Sequence, residues 1–163
     1  MASWWADRSR QVVGHLRARV AESERRDLAG WLTPGELGLF DAMHVADRRH
    51  GLDVVARLRT ADVTDREVLV AGLLHDCGKG DTGVLPRIAY SLGQRYGMSI
   101  WRAAGVVPGW RAALERLRVH PDVSADRAAA AGSSPRTVAL IRHQDEPIDP
   151  LAGEQLRLAD EAS

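Results

Sequence analysis

The sequence lacks the features that are typical of secreted and membrane proteins. It has 163 residues and a single cysteine, Cys77, so no disulfide can form within the chain. A lone thiol is compatible with a reducing cytoplasm. The longest apolar stretch, residues 68–74 (VLVAGLL), is far shorter than the roughly 20 residues that cross a bilayer. The opening residues, MASWWADRSR, lack the apolar segment of a secretory signal. We therefore expect a cytoplasmic protein with no membrane segment.

The sequence also lacks an excess of charge of either sign. It has 22 basic and 22 acidic residues, so its formal net charge at neutral pH is zero. A chain without a positive field has no general attraction for nucleic acid, and we predict no nucleic-acid partner. Lysine is nearly absent, because Lys79 is the only lysine among the basic residues.

Helical patterns cover most of the chain, and no alternating strand pattern of useful length occurs. Thr33 to Glu36 and Thr64 to Glu67 both have the composition of a helix capping box. The remaining helices are predicted from apolar spacing and from Gly and Pro positions. They cover 4–29, 34–44, 48–59, 64 into the 71–80 segment, 84–96, 108–119, 121–131, 134–143 and 154–162. The sequence therefore predicts one all-α domain, a helical bundle over about 36–161 preceded by an N-terminal helix within 1–30.

In the segment AGLLHDCGKG, residues 71–80, a histidine and an aspartate, His75 and Asp76, lie at the predicted end of an apolar helix. His75 follows Ala71 by four residues and Asp76 follows Gly72 by four, so both side chains point toward the packed side. A carboxylate in that position must be paired or bind a cation. An adjacent His and Asp can supply a nitrogen and an oxygen to a metal ion. The two carboxylate oxygens of Asp76 also allow it to bridge two ions.

Other polar residues share this buried placement. His50 stands on one helical stripe with Val54 and Leu58, and Asp160 follows Leu156 by four residues on the last helix. His120 and His143 are predicted at helix ends, where side chains can converge on one pocket. Any one of these histidines could instead be an ordinary surface or core residue.

These residues together resemble the HD-domain superfamily of metal-dependent phosphohydrolases. Members of that superfamily carry a histidine on one helix, a His-Asp pair at the end of another and an aspartate on a late helix. Here the pattern is matched by His50 in RRHGLDVVARL, His75 and Asp76 in AGLLHDCGKG, and Asp160 in EQLRLADEA. The resemblance covers about residues 36–161 and implies an all-α metal-binding hydrolase.

Dinuclear members of the superfamily have two further histidines between the His-Asp pair and the last aspartate. His120 in VHPDVSAD and His143 in VALIRHQDE stand in that order. The resemblance thus implies one metal ion on His50, His75, Asp76 and Asp160, and a second on Asp76, His120 and His143. Imidazole and carboxylate ligands suit Fe, Mn, Zn, Co or Ni.

Roles in the reaction are also predicted for the ligand Asp76 and for two residues near the ligands, Lys79 and Arg49. Asp76 could orient the attacking water or accept its proton. Lys79, just beyond the helix end, could bind a substrate phosphate, although a cation there also suits a helix C-terminus. Arg49, beside His50, is a second candidate phosphate contact, although a neighbouring helical residue can simply point to solvent.

The substrate class follows from the resemblance alone. Asp160 follows His143 by only 17 positions, with DEPIDPLAGEQ between them and no Gly-Tyr-Pro sequence. This short spacing is similar to that of compact bacterial HD proteins such as diadenosine tetraphosphate hydrolases, so a nucleotide substrate is predicted. A di-iron oxygenase of the same superfamily and a non-catalytic nucleotide-binding module are the alternatives.

Overall fold

The computed structural model describes residues 19–97 and 104–163, and these form helices without any strand. The prediction of an all-α protein is confirmed. Eight helices lie in the described ranges: α1 Glu22–Ala29, α2 Pro34–Ala42, α3 Val45–Thr60, α4 Arg66–Leu74, α5 Val84–Tyr96, α6 Trp110–Ala130, α7 Pro135–Arg142 and α8 Ala152–Glu161. Within those ranges, no helix combines the length and the apolar character needed to cross a membrane.

Helix α4 is the centre of the bundle. Its residues 68–74 are all buried, and it packs against α2, α3, α7 and α8. A helix that is apolar on every side is stable only when neighbours cover it all round. The apolar stretch noted in the sequence therefore forms the core, and the residues that follow it emerge among the surrounding helices.

Helix α3 crosses α4 at very short distance. A Cβ atom on Gly51 would lie 2.4 Å from the carbonyl oxygen of Leu73, so only glycine permits this approach. Val54 and Leu58 of α3 are fully buried, at 0% and 1% exposure, which confirms the predicted stripe. The close crossing brings His50, the residue before Gly51, to the end of α4.

The helix starts predicted at 34 and 84 are confirmed, and those of α3, α4, α6 and α8 lie two or three residues from the predicted positions. The Thr33–Glu36 capping box is formed, since the Thr33 hydroxyl accepts from the Glu36 N–H at 3.2 Å and Glu36 accepts from the Thr33 N–H at 2.9 Å. Helix α4, in contrast, is capped by Asp65 and not by Thr64. The Asp65 carboxylate accepts the Glu67 N–H at 2.9 Å, and its negative charge suits a helix N-terminus.

The helix predicted over 4–29 is confirmed at Glu22–Ala29 and is wrong at residues 19–21. Residues 19–21 are not helical, and α1 begins at Glu22 after an extended Ala21. The Glu24 carboxylate accepts the Ala21 N–H at 2.8 Å, which satisfies one of the free donors at a helix start. The rest of that predicted helix, residues 4–18, lies outside the described residues.

Pro121 does not begin a helix as predicted, because it lies within α6, which runs unbroken from Trp110 to Ala130. Proline lacks the N–H that would bond the carbonyl four residues earlier, that of Leu117. Here the imidazole Nδ1 of His120 donates to the Leu117 carbonyl oxygen at 2.6 Å. A side chain thus replaces the missing backbone donor, and the helix continues.

Candidate metal centre

Three helices bring predicted ligands together at the C-terminal end of α4. His75 is the C-cap residue of α4, His50 lies on α3, and Asp160 lies near the end of α8. The Nε2 atom of His50 is 2.8 Å from Asp160 Oδ1, and Nε2 of His75 is 3.3 Å from the same oxygen. One ligand atom of each residue lies within 4.8 Å of the others. His50, His75 and Asp160 therefore form a group that could hold a metal ion.

Asp76 lies beside this group, and its two oxygens face different partners. The side chain is 2% exposed. Its Oδ1 is 3.4 Å from His75 Nε2 and 3.5 Å from His120 Nε2. Its Oδ2 is 2.5 Å from Lys79 Nζ and 3.9 Å from His50 Nε2. The two oxygens of Asp76 thus face three imidazoles and one ammonium group.

The orientation of His75 is fixed by the backbone of its own helix. Its Nδ1 lies 2.9 Å from the Gly72 carbonyl oxygen, and because a carbonyl can only accept, Nδ1 carries the proton. In the neutral ring the Nε2 lone pair therefore points at the carboxylates. Metal-binding histidines are usually held by such a bond at the other ring nitrogen.

Two atoms of this centre are buried without a hydrogen-bond partner among the described residues: His75 Nε2 and Asp76 Oδ1. Buried polar atoms are almost always bonded, so each exception calls for a missing partner. With a neutral His75 ring, both atoms are electron-pair donors that face each other. A cation between them would satisfy both, so the donor set fits a metal ion.

The charges of the centre favour ionised carboxylates. Burial opposes ionisation of Asp76, but positive charge on His75 and Lys79 holds the pKa of Asp76 well below its usual range. Burial also opposes ionisation of Asp160, whereas the His75 charge and the His50 hydrogen bond keep its pKa low. Burial disfavours the charged His75 ring, yet Asp76 and Asp160 raise the pKa of His75 to about 9. A metal ion must therefore displace a proton from His75.

His120 faces the centre from α6, and like His75 it is oriented by a bond from Nδ1 to a backbone carbonyl of its own helix. Because its Nδ1 donates to Leu117, its Nε2 is directed at Asp76 Oδ1 and at Gln144. The Gln144 amide nitrogen lies 3.0 Å from His120 Nε2, and its Oε1 is buried with no hydrogen-bond partner in the described chain. Gln144 thus belongs to the polar lining of the centre, and sequence reasoning missed it because a buried glutamine has no local pattern.

Helix α6 can carry His120 to Asp76 only because the intervening residue of the motif is glycine. A Cβ on Gly78 would lie 2.6 Å from the His120 carbonyl oxygen and 2.7 Å from the Ser124 backbone nitrogen. The Gly78 N–H instead donates to the Ser124 hydroxyl at 2.8 Å. Gly78 therefore allows α6 to pack closely against the segment that follows α4.

Three predicted site residues have different environments. Lys79 lies at the centre, 23% exposed and paired with Asp76. Arg49 instead pairs with Glu24 at 2.7 Å and with Asp53 at 2.8 Å. His143 is the C-cap residue of α7, and within the described ranges no hydrogen bond or ion pair joins it to the centre. The structure thus brings Lys79 to the ligands and leaves the roles of Arg49 and His143 as predictions.

No protein-family model, no curated protein and no solved structure matches the chain.

Proposed function

We propose that the chain is a metal-dependent phosphohydrolase of the HD type, with a nucleotide or another phosphate ester or anhydride as substrate. One observation carries the proposal. Two imidazoles and two carboxylates, His50, His75, Asp76 and Asp160, converge from separate helices beside one ammonium group, Lys79. Nitrogen and oxygen donors of this kind suit Fe, Mn, Zn, Co or Ni. A neighbouring ammonium suits an anionic substrate.

Each residue of the centre would have a defined task. A divalent ion held there supplies positive charge that polarises a phosphoryl oxygen and acidifies a water molecule. Asp76 would orient that water through one oxygen and accept its proton, because positive charge on His75 and Lys79 keeps the carboxylate ionised despite its burial. Lys79, on a flexible stem at the rim, would bind a phosphoryl oxygen through Nζ. His75, held through its Nδ1, would keep its ligand nitrogen in place.

A phosphate-release screen tests the proposal. We expect purified protein to release phosphate from at least one member of a panel of nucleotides, dinucleoside polyphosphates and simple phosphate esters. A chelator should abolish the release and an added divalent ion should restore it, since the ligands alone supply no Lewis acid. The variant Asp76→Asn, prepared identically, controls for contaminating phosphatases. Oxygen consumption by an iron-loaded protein without phosphate release would favour the oxygenase alternative, and nucleotide binding without turnover would favour a regulatory module.

We further expect two metal ions per chain, the second on Asp76, His120 and His143. The support is the position of His120 Nε2, 3.5 Å from the Asp76 oxygen that also faces His75. Elemental analysis of the wild type should give about two ions, and the double variant His120→Ala, His143→Ala about one. The single variants then separate the two histidines. Full metal content in the double variant would replace this prediction with a mononuclear site.

A further inference from the structure

Arg87, a residue on α5 outside the predicted ligand set, joins three parts of the chain next to the metal centre. Its guanidinium donates to both oxygens of Asp47 on α3, one of them at 2.9 Å. It also donates to the Thr82 hydroxyl at 2.9 Å and to the Gly80 carbonyl oxygen at 3.1 Å. The side chains of Arg87 and Asp47 are 18% and 5% exposed. Asp47 lies three residues before His50, so the guanidinium is anchored to the helix that carries a ligand.

The segment that Arg87 binds is the turn formed by residues 79–83, which we call the Lys79 turn. Its backbone has little intrinsic rigidity, because Gly80 and Gly83 adopt φ angles of +60° and +68° that glycine reaches at no cost. Thr82 is nevertheless buried, at 5% exposure. The bonds from Arg87 to Thr82 and Gly80 therefore connect this turn to α3.

The donors of Arg87 are engaged inside the protein, which argues against a direct contact with substrate. Its Nε and both terminal nitrogens already bond Thr82, Asp47 and Gly80. A buried ion pair is a poor source of net stability, because desolvation of the charges offsets their attraction. Its planar fork does, however, fix the relative positions of the groups it binds. The groups fixed here are α3 and the turn that begins with Lys79.

We propose that Arg87 is a positioning residue, which ties the Lys79 turn to Asp47 and so holds the Lys79 ammonium beside Asp76. The consequence for a phosphate-bearing substrate rests on the proposed function, whereas the placement of Lys79 does not. Thr82 is the side chain of the turn that bonds Arg87, beside the Gly80 carbonyl. Loss of its hydroxyl should loosen the turn, which then keeps only the Gly80 bond to Arg87, while leaving the Arg87–Asp47 pair intact.

The test uses the fact that Lys79 is the only lysine of the chain. The rate at which an amine-reactive reagent labels the protein, at one fixed pH, therefore reports on Lys79. Peptide mapping distinguishes this label from the label on the α-amino group of the chain. We expect Thr82→Val and Arg87→Gln each to increase the labelling rate of Lys79 by about tenfold. This is the increase expected if the open form of the turn becomes about tenfold more populated. The matched control is Arg136→Gln. Arg136 also bridges carboxylates, Asp65 and Glu67, but on α4 and its N-cap. An unchanged labelling rate in Thr82→Val overturns the proposal, even if Arg87→Gln does not fold.

A kinetic measurement separates positioning of Lys79 from a merely structural role. On a substrate that releases phosphate, Thr82→Val should lower kcat/KM by about 3- to 30-fold in the wild-type background. In the Lys79→Ala background, Thr82→Val should lower kcat/KM by less than about twofold. The effects of two substitutions are not additive when both residues act through one group. Equal losses in both backgrounds contradict the positioning role. If the wild type releases no phosphate at all, the proposed function fails, and the labelling result alone decides the position of Lys79.

Discussion

Asp76→Ala is expected to abolish turnover and to deplete bound metal in the same variant. The oxygens of Asp76 lie within 3.5 Å of His75, His120 and Lys79. If it bridges two ions, its removal takes a ligand from both. It also takes away a buried negative charge that offsets the cations around it. Metal content by elemental analysis and phosphate release, measured on the same preparation, check the prediction.

Asp76→Asn is the companion variant, because it keeps the volume of the side chain and lacks the carboxylate charge. We expect it to remain folded and to lose metal and activity as well. Asp53→Asn is the control, since Asp53 is a carboxylate of α3 that pairs with Arg49 and is 51% exposed. That variant should keep both properties. Full metal content in folded Asp76→Asn would show that Asp76 is no ligand.

Lys79→Ala should slow turnover of phosphate substrates by about 10- to 1000-fold, the scale of losing one charged contact of roughly 1.4–4 kcal/mol. The metal content should stay intact, because an ammonium is not a ligand. Removal of a cation 2.5 Å from Asp76 also leaves that carboxylate more attractive to a metal ion. Steady-state kinetics and elemental analysis of the purified variant measure the two effects separately.

Lys79→Arg is the control for charge at this position. It should restore only part of the activity, because a planar guanidinium does not place its charge where a compact ammonium does. Unchanged kinetics in Lys79→Ala on the best phosphate substrate would contradict the phosphate-binding role. Lys79 would then be a helix-end charge that pairs with Asp76, and the oxygenase alternative would gain support.

The sequence by itself determined most of the helices and the faces on which polar residues lie. The spacing of His50, Val54 and Leu58 placed a histidine on the buried side of α3, and the apolar run before His75 predicted the central helix. These features are local, because helical period and capping depend on residues only a few positions apart. The same locality explains the errors at Thr64 and Pro121. At Thr64 the neighbouring Asp65 carboxylate caps the helix, and at Pro121 the His120 imidazole bonds the free backbone carbonyl. Helix propensities do not predict either bond.

The tertiary structure alone decided which polar side chains meet. Arg49 pairs with Glu24, 25 positions away, and Gln144 meets His120, 24 positions away. The Asp47–Arg87 pair spans 40 positions. Such contacts depend on how closely helices approach, and that distance is set at positions such as Gly78, where a single Cβ would collide with α6. The helical period of a sequence carries no information about contacts with another helix. The residues that orient the centre can therefore be identified only from the packed structure.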